Sequence, residues 1–315
     1  MKYVYFLGYP HHRIHHQFYY SVLGGQMCDS FIELGSTEFD RSILKLDGND
    51  TVWFFSNWFP FIHRRLAGKQ IFIEHGLSFK PSLNPERVDC LNRDFDLIFS
   101  SGVSQRNRMI KEGVNPEKIR KIGYTTLFQI PSAEVISNQI LISISCYGTW
   151  NEYRNLLEII RRMPTSITAY VTMHPSLPEN QKKESMDIIQ QRDNLKYVAT
   201  QEELLAVTAS SRCILGSSSS VCTPFWYLGK PVIFVRGRQT RIPFYGWQYV
   251  RNIVDDPLFN IILSESTKIS SWKQFTPKLI ENAKVAPSRK QIFYNTNWNK
   301  EETIKKVTLS LESIR

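Results

Sequence analysis

Residues 204–236, LLAVTASSRCILGSSSSVCTPFWYLGKPVIFVR, constrain the fold of this chain more than any other stretch. The end of a helix, the apolar strand Cys213-Ile214-Leu215, a serine loop, a second helix and a strand over 231–235 make one βαβ unit. Its loop, Gly216, Ser217, Ser218, Ser219 and Ser220, leaves the carboxyl end of a strand and opens a helix. Unpaired backbone N–H groups, hydroxyls and the positive end of the helix converge there, at the address where an open α/β sheet binds phosphate. The plain alternative is that Ser219 or Ser220 does no more than cap the helix.

The same alternation of strand and helix runs along the chain. Strands are expected at 3–7, 51–56, 70–73, 96–99 and 119–122, and periodicity lapses near 127–138 around Pro131 and Ser132. It restarts with strands at 139–145, 167–172 and 195–198 before the serine-loop unit. This spacing predicts an α/β chain of two Rossmann-like, doubly wound domains facing across a cleft. The expected divisions are 1–132, 133–290, and a C-terminal helical segment, 291–315, that packs back across both. A length of 315 residues suits two domains of about 150 each.

With 42% hydrophobic and 22% charged residues, the composition is that of a soluble globular protein. A formal charge of +10 suits an anionic partner such as nucleic acid, an acidic membrane leaflet or a phosphate-rich substrate. The Lys and Arg residues form no block of five or more, so no nucleic-acid partner is expected. Five cysteines without a C-x-x-C pair speak against a disulfide framework and for a reduced, cytoplasmic protein. The start, MKYVYFLGYP, reads as a first strand and not a signal peptide. The apolar run 52–62 is too short to span a bilayer, so any membrane contact would be peripheral, at the inner face of the cell membrane.

Three candidate positions share one address, the loop after a parallel strand: His75, His174 and the serine loop. His75 lies between Glu74 and Gly76, with Lys80 a few residues on, and an imidazole titrating near 6.5 suits removal of a proton from a hydroxyl. His174 precedes a proline that ends its strand, and either bonds a phosphate or satisfies a backbone carbonyl. His11 with His15, and His12 with His16, stand at i,i+4, the spacing of metal-ligating pairs. No glutamate lies between them and no third ligand suggests itself, so no metal or cofactor is expected, and solvent-exposed or substrate-facing histidines are the competing reading. Arg236, Arg238 and Arg241 either bind phosphates or are solvated, while Trp53, Trp58, Phe59 and Phe61 either fill the core or stack on an acceptor.

Taken in order, His75-Gly76 with Lys80, Ser100-Ser101, Lys121-Ile122-Gly123-Tyr124, His174-Pro175, and Glu203-Leu204-Leu205 followed by the serines and Leu228-Gly229-Lys230-Pro231 resemble the CDP-glycerol glycerophosphotransferases of teichoic acid and capsule synthesis. The H-P pair followed by a serine loop is also similar to the bacterial sialyltransferases, which use CMP-sialic acid. The resemblance covers most of residues 70–236. It implies a GT-B fold, an N-terminal acceptor domain, a C-terminal domain for a nucleotide-activated donor, and transfer of glycerol phosphate or a sugar to the hydroxyl of a polymer or saccharide acceptor.

Mapped by motif, His75 is the general base, while His174, the second catalytic candidate, and the serine loop hold the donor's phosphates and stabilise charge on the leaving CMP; apart from the motifs, Arg236 is expected at the donor, and Glu74, Gly76, Lys80, His11 and His12 near acceptor or phosphate. Two departures from the family pattern stand out: Thr125-Thr126-Leu127 stands where the glycerophosphotransferases continue P-R-x-D, and Gly216 replaces their aspartate before the serine pair, the second leaving the donor open. A UDP- or GDP-sugar fits the same scaffold. A nucleotide-sugar epimerase would call for carboxylates on the strand-end loops, where Glu74 is the obvious one. A non-catalytic nucleotide or nucleic-acid binding module is the alternative of another class.

Overall fold

The computed structural model describes residues 1–7, 12–28, 43–56, 60–73, 85–145, 150–175, 177–216, 221–235, 264, 266–283, 285 and 299–314. The chain divides into two compact units: Met1–Leu77, Ser82–Gln129 and Lys290–Arg315 form the first, Ser78–Pro81 and Ile130–Arg289 the second.

In unit 1 the order is β1 (Lys2–Phe6), α1 (Arg13–Leu23), β2 (Gln26–Cys28), β3 (Thr51–Phe55), α2 (Pro60–His63), β4 (Lys69–Ile73), α3 (Pro85–Asp94), β5 (Leu97–Ser100), α4 (Val103–Lys111) and β6 (Ile119–Lys121). These six strands are all parallel, in the spatial order β2-β1-β3-β4-β5-β6. Parallel sheets are covered on both faces, and every residue of β3 is buried. Alternation along the strands then divides the core in two. Val4, Phe6, Trp53, Phe55 and Phe72 pack with Leu91, Phe95 and Met109 on one face. Tyr5, Val52, Phe54, Ile71 and Phe99 pack with Phe18 and Tyr19 of α1 on the other. Trp53 is fully buried and gives its indole N–H to Asp47 Oδ1 at 2.8 Å, so it is a core residue. Edge strand β2 follows Gly25, whose φ is +110° and where a Cβ would stand 2.3 Å from the Tyr3 carbonyl oxygen. Only glycine lets the chain pass that closely.

Unit 2 continues with β7 (Ile136–Ile144), α5 (Trp150–Arg161), β8 (Thr168–Met173), α6 (Glu179–Ile189), β9 (Leu195–Tyr197), α7 (Gln201–Ser210), β10 (Ser211–Gly216), α8 (Cys222–Tyr227), β11 (Val232–Val235), β12 (Thr267–Ile269) and α9 (Pro277–Glu281). It too is a parallel six-stranded sheet, ordered β12-β11-β10-β7-β8-β9. Ile140, Ile142, Ala169, Val171, Cys213, Leu215 and Ile233 pack against Leu156, Leu157 and Ile160 of α5 and Ile188 of α6. Lys230, read above as part of a motif, has a structural task. Its Nζ donates to the carbonyls of Thr208, Ala209 and Ser211, closing the end of α7 where helix carbonyls lack partners.

The last helix, α10 (Lys300–Glu312), returns to unit 1. Asn299 caps its start by accepting from Glu302 N–H at 2.8 Å. Thr303, Val307 and Leu311, spaced at i,i+4,i+8, are its buried face; Val307 and Leu311 join the Tyr5 and Phe54 cluster, and Thr303 Oγ1 donates to the Ile122 carbonyl at 3.4 Å. The fold is thus the α/β class of two parallel, doubly wound sheets that the strand and helix alternation predicts. Leu311 is 2% exposed, so Leu311→Ala is expected to lower the stability of the full chain by about 2 to 4 kcal/mol in urea denaturation. A change under about 0.5 kcal/mol would mean that α10 frays from the sheet.

Candidate functional site

Strand order, more than any single motif, marks where each sheet can take a ligand. In unit 1 the chain runs from β1 outward to β2 and then resumes at β3 on the other side of β1; in unit 2 it runs β7, β8, β9 and then resumes at β10 on the other side of β7. Loops leaving the two strands beside such a reversal turn in opposite directions and open a crevice at the carboxyl edge of the sheet.

In unit 2 the reversal lies between β7 and β10. The register aligns Gly216 with Ser143 and Ser143 with Thr172, so the ends of β10, β7 and β8 form one row about 10 Å wide. Gly216 is the last residue of β10 and immediately precedes the serines. A Cβ there would stand 3.1 Å from Cys222 Sγ, tighter than ordinary contact, so its missing side chain lets α8 sit close against the strand end. Ser143 and Ser145 are buried at the end of β7. His174 follows β8, half-buried; its N–H donates to the Ile144 carbonyl at 2.9 Å and its carbonyl accepts from Leu177 N–H at 2.9 Å. The ring is therefore carried on backbone fixed at both sides, one strand away from the reversal.

Two features were not read from the sequence. Helix α8 has six residues, so its dipole is that of fewer than two turns, smaller than the serine-loop reading supposes. Trp150, the first residue of α5 and the one that follows the β7 loop, is 52% exposed, with its ring 5.4 Å from Tyr153 and Arg154 lying over it at 5.8 Å. An exposed indole in that position offers a stacking face. The signal was available in Tyr147-Gly148-Thr149-Trp150, an aromatic directly after a strand-end loop.

In unit 1 the reversal lies between β1 and β3, and His12 and His16 stand there, but they are not solvent-exposed. His12 is 1% and His16 0% exposed. His12 Nδ1 faces the Leu7 carbonyl at the end of β1, so that nitrogen carries the proton. His16 Nε2 is 3.2 Å from Ser56 Oγ at the end of β3, and its Nδ1 has no hydrogen-bond partner among the described residues. His15 Nδ1 is 3.2 Å from Thr126 Oγ1. The i,i+4 pair is thus used to fasten two strand ends with separate bonds, and among the described residues no three of His, Cys, Asp and Glu converge on a cation. His63 is likewise internal, 4.3 Å from the Phe55 ring centre and 2.6 Å from Gln70 Oε1 through Nδ1.

Of the expected site residues, His12, His174 and Gly216 fall within the described structure. His11, Glu74, His75, Gly76, Lys80, Ser217, Ser218, Ser219, Ser220 and Arg236 lie outside the described residues. The end of β4 at Ile73 and the end of β11 at Val235 give the starting points of two of those loops at the carboxyl edges of their sheets. No helix among the described residues is long and apolar enough to cross a membrane.

No family model matches the chain, and no curated protein matches it in sequence. Solved structures do share its fold. The wall teichoic acid polymerase TagF, seen as a variant, matches with a TM-score of 0.62 at 13% identity, over 99% of this chain and 89% of that one. The UDP-GlcNAc 2-epimerase of Neisseria meningitidis bound to UDP-GlcNAc matches at 0.57 and 12%, over 99% and 100%. HepE of Anabaena, in complex with UDP and glucose, matches at 0.55 and 13%, over 99% and 100%. The architecture is that of GT-B proteins.

Two outcomes follow from the strand ends. Gly216→Ala is expected to cost about 1 to 2 kcal/mol in urea denaturation, and Gly216→Ala with Cys222→Ala less than the two single changes together, since the clash goes with the sulfur. Strict additivity would show that Gly216 and Cys222 do not constrain each other. Burial lowers the His16 pKa from 6.5 to about 3. The unfolded chain therefore takes up a proton that the folded chain refuses between these values, so stability is lost as pH falls from about 6.5 towards 3. In chemical denaturation across that window, His16→Gln is expected to show a shallower slope than the native chain, and an unchanged slope would mean that His16 titrates normally.

Proposed function

We propose that this chain is a GT-B-type enzyme acting on a nucleotide-activated donor, and that it moves a glycosyl or glycerol-phosphate group onto an acceptor hydroxyl in the synthesis of a cell-surface polymer. The observation that carries this reading is the reversal between β7 and β10, with Gly216 opening the serine loop on one side and Ser143 and Ser145 on the other. The likeness to a teichoic acid polymerase and to two proteins bound to UDP or UDP-GlcNAc supports the same class, as does the sequence resemblance to the glycerophosphotransferases.

In this reading Ser217, Ser218, Ser219 and Ser220 donate hydrogen bonds to the donor's phosphates, with Arg236 and His174 neutralising charge beside them. His75 takes the proton of the acceptor hydroxyl as its oxygen bonds to the transferred group. The bond to the nucleotide's phosphate oxygen breaks at the same centre, and the leaving phosphate keeps the electron pair. Glu74, Gly76 and Lys80 shape the acceptor side, and Trp150 supplies a stacking face for a base or sugar ring. The formal charge of +10 suits an anionic donor and an anionic polymer alike.

A second reading, a nucleotide-sugar epimerase, is favoured by the likeness to the Neisseria enzyme. It differs in needing no acceptor. The deciding experiment incubates the full chain with UDP-GlcNAc, UDP-glucose, CDP-glycerol and CMP-sialic acid, after a thermal-shift panel with UDP, CDP, CMP and GDP has named the preferred base. Transfer is expected to require an acceptor, to fall by at least about a hundredfold in His75→Ala with nucleotide binding kept, and nucleotide binding to fall in Ser218→Ala with Ser219→Ala. Conversion of the sugar nucleotide without any acceptor would select the epimerase. Binding without turnover, unaffected by His75→Ala, would leave a non-catalytic nucleotide-binding module, and no shift with any nucleotide would contradict both enzyme readings.

A further inference from the structure

A groove of about 440 Å³ lies beside β6, the last strand of the unit 1 sheet. In the strand order β6 is three strand spacings from β3, roughly 14 Å, so this groove is separate from the crevice at β1 and β3. Its walls are β6, α4 and α10. From α10 and its C-cap come Lys306, Leu309, Ser310 and Ser313, at i, i+3, i+4 and i+7, a single helical stripe adjoining the buried Thr303, Val307 and Leu311 stripe. From α4 comes Arg106, and from β6 come Arg120 and Lys121.

Four cationic residues therefore line one open groove at the edge of the sheet. Of the ion pairs among the described residues, one involves them, Lys306 with Glu302 at 3.5 Å. Arg120 gives one N–H to the Glu117 carbonyl, which leaves its charge uncancelled. Arg106 and Lys121 have no side-chain partner among the described residues. Ser310 and Ser313 turn their hydroxyl hydrogens to the carbonyls of Lys306 and Ser310, both at 2.7 Å, so the donors left facing the groove are cationic. Like charges lining one groove repel one another, and an anion that enters relieves that repulsion. A single carboxylate would leave most of them uncompensated. Guanidinium and ammonium groups together match a phosphate, with several acceptor oxygens and up to two charges.

We propose that this groove, formed by Arg106, Arg120, Lys121 and Lys306 between β6 and α10, is a binding site for a phosphate-bearing anion, distinct from the nucleotide crevice. Two sources carry that chemistry, a soluble phosphate compound and an anionic lipid headgroup, and the measurements separate them. The full chain is titrated with inorganic pyrophosphate by calorimetry, and co-sedimented with phosphatidylglycerol vesicles and with neutral phosphatidylcholine vesicles. Four forms are compared: native, Arg106→Gln with Lys121→Gln, the charge-keeping Arg106→Lys with Lys121→Arg, and a control of equal charge loss in unit 2, Lys268→Gln with Lys278→Gln.

At least about a tenfold weakening of pyrophosphate binding in the glutamine pair, with the charge-keeping pair and the unit 2 control near native, upholds the site and assigns a soluble ligand. The same pattern for phosphatidylglycerol vesicles, with none for neutral ones, upholds it with a headgroup as ligand. Equal weakening in the unit 2 control, no weakening in the glutamine pair, or binding of neither probe by the native chain overturns the proposal.

Discussion

The lateral hydrogen bonding of β10 to β7 is the constraint on which the candidate site depends. Had β10 added beside β9, its predecessor in the chain, the sheet would have grown in one direction and its loops would have followed one another round a single face. Pairing Cys213 to Ile140 and Gly216 to Ser143 instead places β10 beside the first strand of its unit. A reversal of this kind, between neighbouring parallel strands, is where an open α/β sheet takes a ligand at its carboxyl edge. Gly216 is the residue that lets this end be closed tightly, because Cys222 stands where a side chain would be. Unit 1 repeats the arrangement at β1 and β3, but there the gap is bridged by His16 and Ser56.

What was legible in the sequence follows from how completely each element is buried. Residues of β3, β5 and β11 are buried throughout, and strands covered on both faces read as unbroken apolar runs. Edge strands give half that signal. Gln26-Met27-Cys28 and Thr267-Lys268-Ile269 are three residues each with polar members, and neither was expected. The position of His174 was legible because a strand followed by a proline can end in few ways. Strand order was not, since nothing in the composition of β10 states that its neighbour is β7 and not β9; that choice is made by packing over the whole sheet.

The histidines show the same limit from the other side. Their spacing predicts a shared helical stretch, and His15 and His16 do lie on α1. Spacing says nothing of burial, and the aromatic weight of unit 1, with Tyr5, Phe18, Tyr19 and Phe54 around α1, draws His16 into the core. Lys230 sits in a motif that carries the family resemblance, and it caps a helix. The basic groove of α10 was invisible for a third reason: its four cations come from segments nearly two hundred residues apart, and no run of charge marks them.

The central claim is that a nucleotide binds at the carboxyl edge of the unit 2 sheet, where the chain reverses between β7 and β10. Hydrogen–deuterium exchange of the full chain, with and without saturating UDP or CDP, tests it most directly. The account predicts slower exchange in peptides over 143–150, 172–177 and 214–222, and unchanged exchange along β6 and α10. Protection confined to unit 1, or spread evenly with none at the ends of β7 and β10, would contradict it.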